Sequence, residues 1–199
     1  MNIGILGGSF DPIHNGHVHM ALSARKYFSL DEVWLIPAGH SPNKNEADMT
    51  AAEHRFRMCE LTARANEGFT VSRYELDSPE RSYTYRTLEH FRTLYPNDNF
   101  FFIMGGDSLD YLERWMKPEV ICSCATILVV PRDQFHTNAM LDKIKQLEVL
   151  FPCDIRIVPC SMYPLSSTQI REKLKNGSEA EHDFPPGVLE YIRENGLYQ

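Results

Sequence analysis

The stretch Met1–His17, MNIGILGGSFDPIHNGH, decides the fold of this chain. Ile3–Leu6 is a short apolar run that stops at Gly7-Gly8. A continuous run of this kind suits a strand buried on both faces, as in a parallel sheet. Two glycines let the backbone approach a ligand closely and present its N–H groups. Ser9-Phe10-Asp11-Pro12 then turns the chain, and Gly16 stands where a helix should open. Strand, glycine-bearing turn and helix N-terminus in succession begin a doubly wound α/β fold.

The same stretch carries His14, His17 and His19, and three readings are open. The first is a phosphate cradle. A helix start offers unpaired N–H groups and the positive end of the helix dipole, which favour an anion. Imidazole N–H groups from His14 and His17 would add donors. The second is a metal site using all three histidines. His17 and His19 diverge by about 200° on a helix, and Asp11 is the one carboxylate nearby. The third is a plain turn that happens to be rich in histidine. Neither the dinucleotide fingerprint G-x-G-x-x-G nor a P-loop is present.

The alternation continues along the chain. Strands are expected at Ile3–Leu6, Val33–Ile36, Phe69–Tyr74, Phe100–Met104, Ala125–Val130 and Ile155–Val158. Helices are expected at Gly16–Ser29, Thr50–Asn66, Tyr83–Tyr95, Asn138–Leu147, Ser167–Lys175 and Pro186–Asn195. Thr50 with Glu53 three residues on reads as a capping box. The implied fold is a Rossmann-like, doubly wound parallel sheet of about six strands with helices on both faces. The length of 199 residues implies one domain, 1–199, whose C-terminal helical part begins near residue 166. The polar loop Ala38–Met49 follows a strand, on the edge where open α/β sheets bind ligands.

The net charge of −7 argues against broad binding to nucleic acid. Five cysteines form no secreted framework and read as reduced thiols. The opening residues lack a signal-peptide pattern, and no apolar run approaches a membrane span. A cytoplasmic protein with no membrane partner is expected. Its oligomeric state is left open, a homo-oligomer included.

A second stretch supports the phosphate reading. Ser166-Ser167-Thr168-Gln169-Ile170-Arg171 follows a predicted strand and opens a helix. Its hydroxyls can cap that helix, its N-terminus can hold an anion, and Arg171 adds a planar, multi-donor charge. Taken alone the segment is only a cap; with the first motif it suggests a polyphosphate held by two helix starts.

At these residues the chain resembles a known family. Gly8-Ser9-Phe10-Asp11-Pro12-Ile13-His14-Asn15-Gly16-His17 resembles the H-x-G-H signature of the nucleotidyltransferase superfamily, and Ser166–Arg171 its S-S-T-x-I-R companion. Together they resemble the bacterial nicotinate-nucleotide adenylyltransferases over essentially the whole chain. The resemblance implies adenylyl transfer from ATP to nicotinate mononucleotide in NAD biosynthesis, with Mg2+ carried on the ATP phosphates and no metal ligands from the protein. It implies that His14, His17, Lys44 and Arg171 act in catalysis. It places Gly7, Gly8, Ser9, Phe10, His14, His17, Asp107, Ser167, Thr168 and Arg171 around ATP, with Asp107 at a ribose. Ser9, Phe10, Lys44, Tyr83, Thr84, Trp115 and Arg132 would meet nicotinate mononucleotide. The chain departs from the family pattern at Asn43 before Lys44, at Arg86 where an aspartate is usual, at Met116 after Trp115, and at Asp133-Gln134 after Arg132. Three rivals remain: a related adenylyl- or cytidylyltransferase with another acceptor, a non-catalytic nucleotide sensor, and a zinc-dependent hydrolase.

Overall fold

The computed structural model describes residues 1–42, 46–131, 137–160 and 163–199. The six strands are β1 (Asn2–Gly8), β2 (Glu32–Pro37), β3 (Phe69–Val71), β4 (Asn99–Gly105), β5 (Thr126–Val130) and β6 (Ile155–Ile157). They form one sheet in the order β3-β2-β1-β4-β5-β6. The order reverses direction at β1, the arrangement from which right-handed crossovers carry helices to both faces of a doubly wound sheet. The fold is the Rossmann-like parallel architecture expected.

Between the strands lie α1 (Asn15–Phe28), α2 (Ala52–Arg64), α3 (Tyr74–Asp77), α4 (Thr84–Leu94), α5 (Gly106–Leu109), α6 (Pro118–Cys124) and α7 (Thr137–Leu150). α8 (Ser167–Lys175) and α9 (Val188–Glu194) follow β6. No helix among the described residues is long and apolar enough to cross a membrane.

The chain divides into two compact units, interleaved in sequence. One comprises Met1–Gly7, Met20–Val33 and Tyr83–Tyr163. In it β1 runs parallel to β4 with Ile3 opposite Phe100 and Ile5 opposite Phe102. β4 and β5 pair with Ile103 opposite Leu128, and β5 and β6 with Leu128 opposite Arg156. Ile3, Ile5, Phe102, Ile103, Ile127, Leu128 and Val129 are all buried. That is why these strands read as unbroken apolar runs rather than as an alternating pattern.

The other unit comprises Gly8–His19, Trp34–Ser82 and Pro164–Gln199. α2 packs on β3 and α9 there, burying Met58, Cys59 and Thr62. Gly39 comes so near α3 that a Cβ would lie 2.2 Å from the Glu75 carbonyl oxygen. Ser82 accepts the Gly39 and His40 N–H groups at 3.0 and 3.3 Å, fixing the chain just after β2.

Four expectations need correction. β3 ends at Val71, and Tyr74–Asp77 is a helical turn whose Tyr74 N–H donates to the Ser72 hydroxyl at 3.2 Å. The Thr50–Glu53 capping box does not form: Ala51 is the N-cap, with no side-chain cap. Glu53 instead takes Arg73 at 2.6 Å, because a guanidinium is a stronger partner than a backbone N–H. α9 starts at Val188 rather than Pro186, after Gly187 in the left-handed region at φ 81°. Finally, Cys122 and Cys153 are joined in a disulfide, leaving Cys59, Cys124 and Cys160 as thiols.

Candidate active site

The turn after β1 is held by its own backbone. The Gly8 carbonyl accepts from Ala38 N–H at 2.8 Å. Phe10 adopts φ 46°, a left-handed value that costs a non-glycine residue about 1 kcal/mol or more. Complete burial of its ring offsets that cost. The Asp11-Pro12 peptide is cis.

His14 is buried, and its carbonyl opens α1 by accepting from His17 N–H at 2.9 Å and Val18 N–H at 3.3 Å. The imidazoles then fold back onto the turn. His14 Nδ1 accepts from Gly16 N–H at 3.1 Å, and His17 Nδ1 accepts from His14 N–H at 3.3 Å. A nitrogen that accepts carries no proton, so both neutral rings hold theirs on Nε2. The rings lie 3.8 Å apart at 33°, and Phe10 meets His17 edge-on at 5.1 Å. Gly16 makes this possible: a Cβ there would sit 2.9 Å from His14 Nδ1 and Cε1. The glycine in H-x-G-H is room for an imidazole.

α8 arrives at the same turn. Ser166 caps it, its hydroxyl accepting from Gln169 N–H at 3.3 Å while Gln169 Oε1 accepts from Ser166 N–H at 3.0 Å. Ser167 Oγ donates to the Pro12 carbonyl at 3.0 Å, and Arg171 Nη1 donates to the Asp11 carbonyl at 2.6 Å. Arg171 Nη2 also reaches Thr168 Oγ1 at 3.4 Å. The two motifs read separately from the sequence are therefore one assembly of hydroxyls, imidazoles and a guanidinium at two helix starts.

Two residues behind this assembly, Arg55 and Tyr198, escaped the sequence reading. Asp11 is buried, and its Oδ1 accepts from Tyr198 Oη at 2.7 Å and from Thr50 N–H at 3.3 Å. Arg55 is buried too, donating from Nε to the Thr50 carbonyl at 2.9 Å and from Nη1 to the Ser9 carbonyl at 2.7 Å. One signal for Arg55 was available: it shares a helix face with Met58, Cys59 and Thr62, an apolar stripe where an arginine needs partners.

In the first unit, Tyr83 is the N-cap position of α4 and Thr84 its first residue. Trp115 is half-buried and meets the Phe102 ring edge at 6.1 Å. Two cations attend Tyr85. Lys117 Nζ lies 4.6 Å from its ring centroid, and Arg86 Nε donates to its hydroxyl at 3.0 Å. Asp107 is exposed on α5, directly after β4, and Gly7 is exposed at the end of β1. Lys44 and Arg132, with Asn43, lie outside the described residues. Among the described residues no group of three His, Cys, Asp or Glu side chains is placed to hold a metal ion.

Comparison with known proteins shows what the chain is similar to. A family model described as cytidylyltransferase-like matches residues 5–173. A curated relative from Clostridium botulinum (strain Loch Maree / Type A3), named probable nicotinate-nucleotide adenylyltransferase, is 37% identical over 200 residues and covers 100% of both chains. A relative of the same name from C. botulinum (strain Alaska E43 / Type E3) is 36% identical over 98% of this chain and 97% of its own. Among solved structures, Plasmodium falciparum nicotinic acid mononucleotide adenylyltransferase complexed with NaAD superposes with TM-score 0.76 at 24% identity, covering 99% of this chain and 97% of that one. The same Plasmodium enzyme complexed with APC gives TM-score 0.77 at 23% identity, over 99% and 96%. Matched over most of its length by that model and end to end by the 37% identical relative, the chain belongs to the cytidylyltransferase-like family.

Proposed function

We propose that the protein transfers the adenylyl group of ATP to nicotinate mononucleotide, forming nicotinate adenine dinucleotide and pyrophosphate in NAD biosynthesis. The observation that carries this reading is the attachment of the α8 start to the His14 turn through Arg171 and Ser167. The names of the full-length relatives support the choice of substrates.

A phosphate oxygen of the mononucleotide attacks the α-phosphorus of ATP. One P–O bond forms there as the bond to the β-phosphate oxygen breaks, and pyrophosphate leaves. The attacking oxygen is already ionised at neutral pH, so no general base is needed. The protein's work is positioning and neutralising charge. Nε2–H of His14 and of His17 donate to the ATP phosphates. Ser167, Thr168 and Arg171 hold the β and γ phosphates, and the backbone of Gly7, Gly8, Ser9 and Phe10 lines nucleotide and transferred group. Asp107 meets a ribose. Tyr83, Thr84 and Trp115 receive the nicotinate moiety. Lys44 and Arg132 keep the phosphate and acceptor roles their resemblance implies.

The donor set fits a magnesium ion that comes with the triphosphate. The one carboxylate in the histidine turn, Asp11, already accepts from Tyr198 and Thr50. When bound, Mg2+ neutralises phosphate charge through oxygen ligands of the nucleotide and water. A cytoplasmic location goes with this reading, since both substrates are charged nucleotides that do not cross membranes unaided.

The test is pyrophosphate release from ATP with a panel of acceptors. Turnover is expected with nicotinate mononucleotide and weaker turnover with its amide. Turnover only with another phosphate monoester would reassign the acceptor, and tight ATP binding without turnover on any acceptor would make the protein a sensor.

A further inference from the structure

We propose that Arg55 and Tyr198 are positioning residues of the reaction, forming a buried clamp, Arg55 on Ser9 and Tyr198 on Asp11, that holds the histidine turn in its productive shape. The inference rests on the function proposed above and concerns two residues to which that reading assigns no contact with substrate.

The clamp has two arms. Arg55 reaches from α2 with both ends of its guanidinium engaged, Nε on the Thr50 carbonyl and Nη1 on the Ser9 carbonyl. Ser9 directly precedes Phe10, the residue forced into the left-handed region. A restraint on the Ser9 carbonyl is what holds such a backbone conformation against relaxation. Tyr198 supplies the other arm, 187 residues along the chain from Asp11, by donating its hydroxyl to Oδ1.

Asp11 is tied at both of its ends. Its carboxylate takes Tyr198 and Thr50, and its main-chain carbonyl takes Arg171. Three chain segments distant in sequence thus meet on the residue three before His14. Burial makes the contacts consequential. Asp11 and Arg55 are each 2% exposed, so an unmade hydrogen bond there has no water to replace it. Burial first, and then the Asp11 charge, pushes the Tyr198 phenol far above the usual tyrosine range, so it stays a donor. Desolvation lowers the proton affinity of Arg55, an effect that the Asp11 charge opposes.

His14 and His17 depend on this support. Their Nδ1 atoms accept from main-chain N–H groups of the turn itself, so a shift of the turn moves both Nε2 donors. Misplacement of a catalytic donor by about 1 Å costs up to about 100-fold in rate.

The experiment uses the full-length protein and compares Tyr198→Phe, Arg55→Lys and Tyr191→Phe. Tyr191 is the control: its hydroxyl reaches α2 at His54, 2.8 Å away, whereas that of Tyr198 reaches Asp11. Tyr198→Phe should lower kcat about tenfold or more, with KM for ATP and for nicotinate mononucleotide each within about twofold. Arg55→Lys keeps the charge but not the two-armed grip, and should show the same split; it serves if the phenylalanine variant fails to fold. Tyr191→Phe should leave kcat unchanged. In parallel, 15N-histidine spectra should show the His14 and His17 ring nitrogens displaced in Tyr198→Phe and not in Tyr191→Phe. That readout holds whatever the acceptor proves to be, so with an inactive wild type the functional reading falls while the spectra still decide this one. Unmoved ring nitrogens, or a kcat within twofold of wild type, would overturn the clamp.

Discussion

Arg171 and Asp11 stand 160 residues apart in sequence, yet the guanidinium Nη1 donates to the Asp11 carbonyl at 2.6 Å. The residue proposed to grip the outer phosphates also fastens α8 to the turn that presents the histidines. Substituting it removes both effects. Arg171→Ala should lower kcat/KM for ATP by about 100-fold or more, the scale of losing a transition-state donor. Arg171→Lys should recover only a small part, because one ammonium cannot reproduce a planar fork. Steady-state kinetics at varied ATP would check both.

His17→Ala should reduce kcat by about 100-fold with a modest change in KM. Turnover within threefold of wild type would remove His17 from the mechanism. Gly16→Ala is a sharper probe of geometry, since the added methyl would press on the His14 ring from 2.9 Å. It should cost at least about tenfold in kcat with the helix intact by circular dichroism.

Trp115→Ala should raise KM for the mononucleotide more than KM for ATP, because its half-buried indole is assigned to the nicotinate moiety. An equal rise in both constants would make Trp115 a packing residue beside Phe102.

Gly39→Ala should destabilise the protein by about 1–3 kcal/mol, the usual cost of overpacking. Its methyl would meet the backbone carbonyl of Glu75, an atom that no side-chain rotation can move aside. Thermal unfolding measures the loss, and an unchanged Tm would contradict the close approach of that segment to α3.

The cysteines give a chemical check. Alkylation of the denatured chain without reductant should label three residues, Cys59, Cys124 and Cys160, and with reductant all five. In the native protein Cys59 should resist, since burial holds its thiol in the protonated form.

The sheet was legible because its strands are buried on both faces and therefore written as unbroken apolar runs. Ile127–Val130 and Ile3–Leu6 are of this kind. α1 and α8 were legible because each begins at a recognisable turn or cap. What failed to show were the elements too short for helical periodicity, α3 and α5, and α6, which opens after Lys117 in the left-handed region. Pro118 at its first turn was the one hint. Thr50 and Glu53 misled because capping competes with tertiary partners: Asp11 and Arg55 claim the Thr50 backbone, and Arg73 claims Glu53. Within the site, the Gly8–His17 and Ser166–Arg171 motifs could be read because their spacing is local. Tyr198 could not, since nothing beside it in the chain announces a partner 187 residues away.

The imidazole arrangement bears on how such a protein can vary. In many enzymes an acidic side chain decides which nitrogen of a histidine carries hydrogen, and replacing that acid scrambles the tautomer. Here amide groups at His14 and Gly16 make the choice for both rings. The requirement then falls on the contour of four consecutive residues, His14 to His17, and on the side chains that brace it.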